Sequence, residues 1–194
     1  MIHKLFATPV YHQNLDDENL RRAIEAKVCS SQSAEYKHPN PPQGQFHGVF
    51  ESRFDFLSET SDPAIRQLVA QIDAHLNALI AVLTSTKPEA IDMRKLGRES
   101  WFHVTTDGGY FQPHHHPNAT WSVVYCVSSG LPKAVEMEAG SGHLIFMDPR
   151  SVSMFLDEHS RKLHRDLSFD GVKYLLADGD IVIFPSYLQH YVSP

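Results

Sequence analysis

The sequence is poor in cysteine, in runs of like charge and in uninterrupted apolar stretches. Its 194 residues include two cysteines, Cys29 and Cys126, and no CxxC pair. This excludes a disulfide framework and a cysteine zinc knuckle. Lysine and arginine number 17 against 23 aspartates and glutamates, a net charge of −6. Because no basic run is present that would follow a phosphate backbone, we expect no nucleic-acid partner.

Membrane and secretion signals are also missing from the sequence. The longest apolar-rich stretch, residues 64–83, is interrupted by charged side chains such as Arg66 and Asp73. The first residues, MIHKLFATPVYHQ, have no apolar core behind a basic start. We therefore predict no bilayer span and no signal peptide, and we expect a soluble cytoplasmic protein. There is no GxSxG elbow, P-loop or GxGxxG, so hydrolase, kinase and nicotinamide-dependent functions lack support.

The first half of the chain predicts helices and loops. Residues 14–30 predict a helix capped by Asn14, and residues 63–83 predict a second helix with Asp62 as cap and Pro63 in its first turn. Residues 4–12 predict a short strand broken by proline, and a proline-rich loop follows the first helix. We expect residues 1–96 to be helical support and loops within one domain, residues 1–194.

The second half, residues 97–194, is typical of β-structure. Short β-branched and aromatic segments alternate with glycine, proline or aspartate: SWFHVTT, TWSVVYCVS, GHLIFMD, VSMFL, VKYLLA and DIVIFPS. Strands at this spacing after two helices predict an α+β, mainly β protein, a sandwich or jelly roll with supporting helices on one face.

Three of the thirteen histidines are candidate metal ligands. Alternate residues of a strand point to the same face, so His114 and His116 should converge while His115 points away. Two imidazoles on one face can reach a metal at about 2.0–2.2 Å. A third ligand must come from elsewhere, and His190 follows the apolar strand DIVIFPS near the C-terminus. His103 is a further candidate to line the strand face near this site.

The second half contains a series of short motifs around these histidines. They are the Trp101 strand, the glycine turn before His114-x-His116-Pro117, the strand Trp121–Tyr125, Phe146-x-Asp148-Pro149-Arg150, Gly179-Asp180, Phe184-Pro185-Ser186 and His190-x-Val192-x-Pro194. In these motifs the chain resembles the Fe(II)/2-oxoglutarate-dependent dioxygenase superfamily, in particular its small bacterial and phage oxygenases. The resemblance implies a double-stranded β-helix that binds Fe(II) and 2-oxoglutarate and uses dioxygen to hydroxylate a small-molecule or peptide substrate. It also implies that His114, His116 and His190 are the iron ligands.

Two departures from the superfamily pattern leave alternatives open. The carboxylate that usually completes the ligand set is replaced by His116, which favours competition from zinc, nickel or copper. Only four residues follow His190 and none is basic, so either the usual cationic anchor lies beyond this sequence or another cation replaces it. Arg150 is the candidate substitute because a guanidinium suits a carboxylate, and Tyr125 could offer its hydroxyl to the same ligand.

A second hypothesis is therefore a cupin-like metal-binding or ligand-sensing protein without turnover. We expect substrate choice to depend on the loops 32–60 and 151–175. Edge strands of such sheets often pair, which favours a homodimer. The substrate itself has no signature in the sequence.

Overall fold

A computed structural model of the chain describes residues 1, 3, 5–39, 46–59, 61–130, 142–150, 157–159, 162–164, 167 and 171–194. Within these ranges the chain forms two α-helices, three short 3-10 helices and eight strands. The helices are α1 (Glu18–Ser30) and α2 (Pro63–Thr84), with 3-10 turns at Phe56–Ser58, Pro88–Ala90 and Met93–Lys95. The strands are β1 (Tyr11–Asn14), β2 (Phe46–Glu51), β3 (His103–His114), β4 (Trp121–Tyr125), β5 (Leu144–Phe146), β6 (Val172–Tyr174), β7 (Asp180–Pro185) and β8 (His190–Val192).

Helix α1 begins later than the sequence predicts. Asp17 is its cap, and the Asp17 side chain accepts a hydrogen bond from the backbone N–H of Leu20. The predicted cap, Asn14, instead ends β1, and its side-chain amide donates to the carbonyl of Asp178. The helix buries one face through Leu20, Ile24 and Val28.

Helix α2 confirms the prediction for residues 63–83. Asp62 caps it by accepting hydrogen bonds from two first-turn N–H groups, and a proline occupies its first turn. By length and composition alone, α2 is long and apolar enough to cross a membrane. It instead packs against a sheet, where Leu76 contacts Ile181 and Ile183. This contact accounts for part of its apolar face.

The strands form two antiparallel sheets. The first has the order β1-β7-β4, and the second has the order β2-β3-β8-β5-β6. Both sheets include a strand from the first half of the chain, since β1 pairs with β7 and β2 pairs with β3. Residues 1–96 therefore contribute more than the predicted helices and loops. The first strand covers Tyr11–Asn14 rather than 4–12, and the predicted strand at 152–156 lies outside the described residues.

Strand β7 is the centre of the packing because both of its faces are buried. Val182 and Phe184 face the second sheet and pack with residues of β5 such as Leu144 and Phe146. The alternate residues, including Ile183, face helix α2. A strand covered on both sides needs apolar residues throughout, which explains the continuous run DIVIFP.

The β2–β3 pair bends sharply at two glycines. The register shifts between His47 and Val49, where Gly48 has a positive φ of +62°. A Cβ at Gly109 would lie 2.7 Å from the carbonyl oxygen of Gly48, so both strands need glycine at this close approach. The bend lets the two ends of the long strand β3 both contribute side chains to one region.

Candidate metal centre

Two of the candidate histidines lie side by side on neighbouring strands. His114 ends β3 and His190 begins β8, and the two residues are paired across the sheet. His190 is also paired with Phe146 of β5 on its other side. The sheet order therefore brings together two residues that are far apart in the chain, and it places His190 in the middle of the sheet, where it is 5% exposed.

His116 reaches the same place from just beyond the end of β3. Its backbone N–H donates to the carbonyl of Ser186, at the end of β7, over 3.0 Å. This bond ties the segment after β3 to the first sheet. The next residue along, Pro117, begins a turn.

The three imidazole rings meet as a compact cluster. Each of His114, His116 and His190 has a ring nitrogen that lies within 4.8 Å of a ring nitrogen of both others. The ring centroids are 4.4 Å apart for His114 and His190, 5.1 Å for His114 and His116, and 5.3 Å for His116 and His190. Nitrogens that bind one ion at about 2.0–2.2 Å lie at most about 4.4 Å apart, so the cluster is close to the spacing that a shared ion requires.

Hydrogen bonds to the backbone orient two of the rings in the same way. The Nδ1 of His114 lies 2.8 Å from the carbonyl oxygen of Gln112, and the Nδ1 of His190 lies 2.9 Å from that of Leu188. A carbonyl oxygen only accepts, so Nδ1 carries the hydrogen and donates. The Nε2 lone pair of each ring is then free to bind a metal, an arrangement common among histidine ligands.

Burial keeps the cluster neutral. Burial, together with the neighbouring histidines, lowers the pKa of His116 and of His190 to about 4. Burial also lowers the pKa of His114. At neutral pH the rings are therefore unprotonated, which is the state in which imidazole binds a metal.

Aromatic side chains surround the cluster. The ring of Phe111 lies 4.7 Å from that of His114, Trp101 lies 5.3 Å from His116, and Phe184 lies 4.8 Å from His190. Phe184 is fully buried and Phe111 is 8% exposed. These apolar walls limit the access of water to the ring nitrogens and lower the local dielectric constant.

Tyr125 does not join the cluster. It lies on β4 opposite Ile181, and both side chains face the helices rather than the other sheet. Phe184, which touches His190, lies on the opposite face of β7. The Tyr125 hydroxyl is buried and has no hydrogen-bond partner among the described residues. This orientation turns Tyr125 toward the helices, and its role in binding a ligand stays a prediction.

Arg150 is held by its near neighbour Asp148. The guanidinium donates to both carboxylate oxygens, with Nε 2.9 Å from Oδ1 and 3.0 Å from Oδ2. The hydrogen bonds from Arg150 hold the pKa of Asp148 below its usual range. The Arg150 side chain is 44% exposed. Its role as a carboxylate anchor stays a prediction.

A buried acidic side chain near the cluster was not predicted from the sequence. Glu51 ends β2 and is paired with His103, the first residue of β3. The Glu51 Oε2 lies 3.0 Å from the His103 Nε2, and the His103 ring stacks on Phe111 at 4.8 Å. His103 was a sequence candidate, whereas Glu51 lies in a stretch that the sequence does not mark as a strand.

The second half of the chain matches a known protein family. Residues 99–194 match the family model described as "Putative 2OG-Fe(II) oxygenase". These residues include the three clustered histidines, with Trp101 and His103. A search of curated proteins finds no match to the chain.

A solved structure shows the same fold. The chain is similar to the crystal structure of a Pseudomonas putida prolyl-4-hydroxylase, with a TM-score of 0.63 and 16% sequence identity. The match covers 98% of this chain and 88% of that chain. It confirms the predicted fold, a mainly β double-stranded β-helix with supporting helices.

Proposed function

From the match of residues 99–194 to the 2OG-Fe(II) oxygenase family, we propose that His114, His116 and His190 bind the iron of an enzyme that hydroxylates a C–H bond. Fe(II) and 2-oxoglutarate are the cofactor and co-substrate of this family. The substrate is a small molecule or peptide of unassigned identity. The observation that carries the proposal is the convergence of three neutral ring nitrogens within 4.8 Å of one another.

The residues present suit iron(II). Imidazole is a good ligand for iron, and three such ligands leave other positions of the ion open. The set differs from two histidines and a carboxylate because all three ligands are neutral. Zinc, copper and nickel therefore compete more strongly, and loading with iron depends on which metal is supplied.

When bound, Fe(II) and 2-oxoglutarate supply the oxidising chemistry: one atom of dioxygen enters succinate as 2-oxoglutarate loses carbon dioxide, and the other enters the substrate hydroxyl. The protein's own residues hold the metal and keep water out. The backbone carbonyls of Gln112 and Leu188 fix two rings by accepting from Nδ1. Phe111 and Phe184 close the walls beside those rings.

Arg150 remains our candidate anchor for the far carboxylate of 2-oxoglutarate. Its planar guanidinium is suited to paired hydrogen bonds with a carboxylate. Binding 2-oxoglutarate there would require Arg150 to share or release Asp148, with which it now pairs. A cytoplasmic location and a homodimer likewise remain predictions from the sequence.

Metal stoichiometry of single-histidine variants tests the proposed ligands. We expect the wild type to bind one Fe(II) per chain under anaerobic conditions, and His114→Ala, His116→Ala and His190→Ala to lose that binding. His115→Ala is the matched control, because His115 is exposed and belongs to the same segment without joining the cluster. Unchanged iron content in the three cluster variants would refute the ligand assignment.

Turnover is tested separately from binding. Anaerobic addition of 2-oxoglutarate to the Fe(II)-loaded protein should produce a weak visible charge-transfer band, and admission of dioxygen should release succinate and carbon dioxide. Metal binding without the band and without succinate would instead support a cupin-like binding protein.

A further inference from the structure

Glu51 is a buried carboxylate with few hydrogen-bond donors. Its side chain is 5% exposed, and its Oε2 accepts from His103 at 3.0 Å. The other oxygen, Oε1, is buried and has no hydrogen-bond partner among the described residues. A buried carboxylate is costly unless a positive charge or several donors stabilise it. The single His103 ring, which is 30% exposed, offsets only a small part of this cost.

His103 holds this carboxylate close to the histidine cluster. The His103 ring stacks on Phe111 with an interplanar angle of 19°, and Phe111 in turn contacts the ring of His114 at 4.7 Å. On the other side, Trp101 lies between His103, at 6.4 Å, and His116, at 5.3 Å. One layer of aromatic rings therefore separates the Glu51–His103 pair from two of the three clustered histidines.

The interior between Glu51 and the cluster is apolar, so a charge there acts over a longer range than in water. The negative charge of Glu51 would therefore act on a doubly charged ion held by the cluster. Glu51 is not itself part of the described group of ligand atoms, which contains the three histidines alone.

We propose that Glu51 is the counter-charge of the metal centre, a buried carboxylate that His103 holds behind Phe111 and that stabilises a divalent ion bound by three neutral ligands. This inference rests on the proposed metal site. The three ligands are neutral, and Glu51 would supply the negative charge that they lack. It also explains why Oε1 remains buried without a donor, since the stabilising positive charge is the ion.

Binding of Co(II) and Fe(II) to Glu51 variants tests the proposal. Glu51→Gln and Glu51→Leu remove the charge, the first keeping the shape and the second replacing the carboxylate with an apolar group. Glu51→Asp keeps the charge. Groups that hydrogen-bond to metal ligands change metal affinity by about 10- to 100-fold, and Glu51 acts from farther away through its charge. We therefore expect both charge-free variants to bind Co(II) about tenfold more weakly than the wild type, at the low end of that range. Glu51→Asp should retain most of the affinity.

The matched control is Glu89→Gln, which changes the net charge equally at an exposed position in the turn Pro88–Ala90. Its metal affinity should equal that of the wild type. Affinities are measured by the visible spectrum of bound Co(II), and by anaerobic titration for Fe(II).

Thermal unfolding with and without metal separates this role from a structural one. A buried carboxylate with a single hydrogen-bond donor is poorly compensated, so the metal-free charge-free variants should unfold at the same or a higher temperature than the wild type. Their rise in Tm on adding Co(II) should be smaller. A structural role would instead lower the Tm of the metal-free protein and leave the rise unchanged.

The outcomes distinguish this inference from the metal site on which it rests. A wild type that binds no metal would overturn both. A wild type that binds metal, with Glu51→Gln or Glu51→Leu binding it equally tightly, would overturn the counter-charge alone. If neither charge-free variant folds in the presence of a chelator, Glu51 is needed for the structure itself and the proposal is likewise overturned.

Discussion

Acid should destabilise the metal-free protein through the histidine cluster, and His190 gives the clearest case. Burial lowers its pKa to about 4 in the folded protein, whereas an unfolded chain has an ordinary histidine pKa of about 6.5. Between these two values the unfolded chain binds a proton that the folded protein does not bind. The stability that His190 contributes is therefore fully present when the pH is above about 6.5, the pKa in the unfolded chain. It falls as the pH drops toward about 4, the pKa in the folded protein.

The size of the loss follows from the two pKa values. From neutral pH down to about pH 5, His190 alone should reduce the free energy of unfolding by about 2 kcal/mol, and by about 3 kcal/mol at about pH 4. The test is urea unfolding in the presence of a chelator at several pH values, for the wild type and for His190→Gln. The variant lacks the titrating ring, so its stability should fall less over the same range.

The comparison between the two proteins isolates His190 from carboxylates that titrate at the same acidity. Equal losses for the wild type and His190→Gln would refute the reasoning, because the depressed pKa would then contribute nothing to folding. Saturating metal should shift the acid transition of the wild type to lower pH, since protons and metal compete for the same nitrogens.

Two further predictions concern residues of the sheets that carry the site. Gly48→Ala should lower the free energy of unfolding by about 1–3 kcal/mol, because the new Cβ would lie 2.8 Å from a threonine hydroxyl at a positive φ, whereas Gly97→Ala has open space and should cost nothing. Asp180→Asn should cost about 2–4 kcal/mol in urea unfolding, because the buried carboxylate accepts hydrogen bonds from His12 and from a backbone N–H. Asp107→Asn, at an exposed position, is its control, and equal stabilities within either pair would contradict the prediction.

The sequence predicted correctly an element whose signals all lie within its own residues. Helix α2 has a cap, a first-turn proline and an apolar period, all within its own residues, and its prediction is confirmed. The start of α1 was misplaced because Asn14 and Asp17 are equally good cap residues by type. The side chain of Asn14 is used elsewhere, by the carbonyl of Asp178, and that contact depends on the tertiary structure.

The cluster itself was predicted from the spacing of His114 and His116 and from a histidine after an apolar strand, although His116 lies beyond the end of β3 rather than within the strand. Its surroundings were not. Strand β2 has a glycine at its centre and follows a proline-rich loop, so FHGVFE carries a weak strand signal. Glu51 was therefore missed, because its proximity to the site arises only when β2 pairs with β3.

Tyr125 illustrates a second difficulty, that of predicting which face of a strand a side chain lies on. The strand WSVVY has large or apolar side chains on both faces, so its pattern does not reveal which face meets the helices and which meets the second sheet. The pairing of Tyr125 with Ile181 decides this, and it turns the tyrosine away from the cluster.

The separation of the ligands along the chain has a consequence for when metal can bind. His114 and His116 are local neighbours, but His190 joins them only after β8 has inserted between β3 and β5. Closing so long a loop in an unfolded chain costs entropy that a single metal–nitrogen bond must overcome. The unfolded chain should therefore hold metal weakly, and nearly all of the binding energy should appear as resistance of the native protein to unfolding.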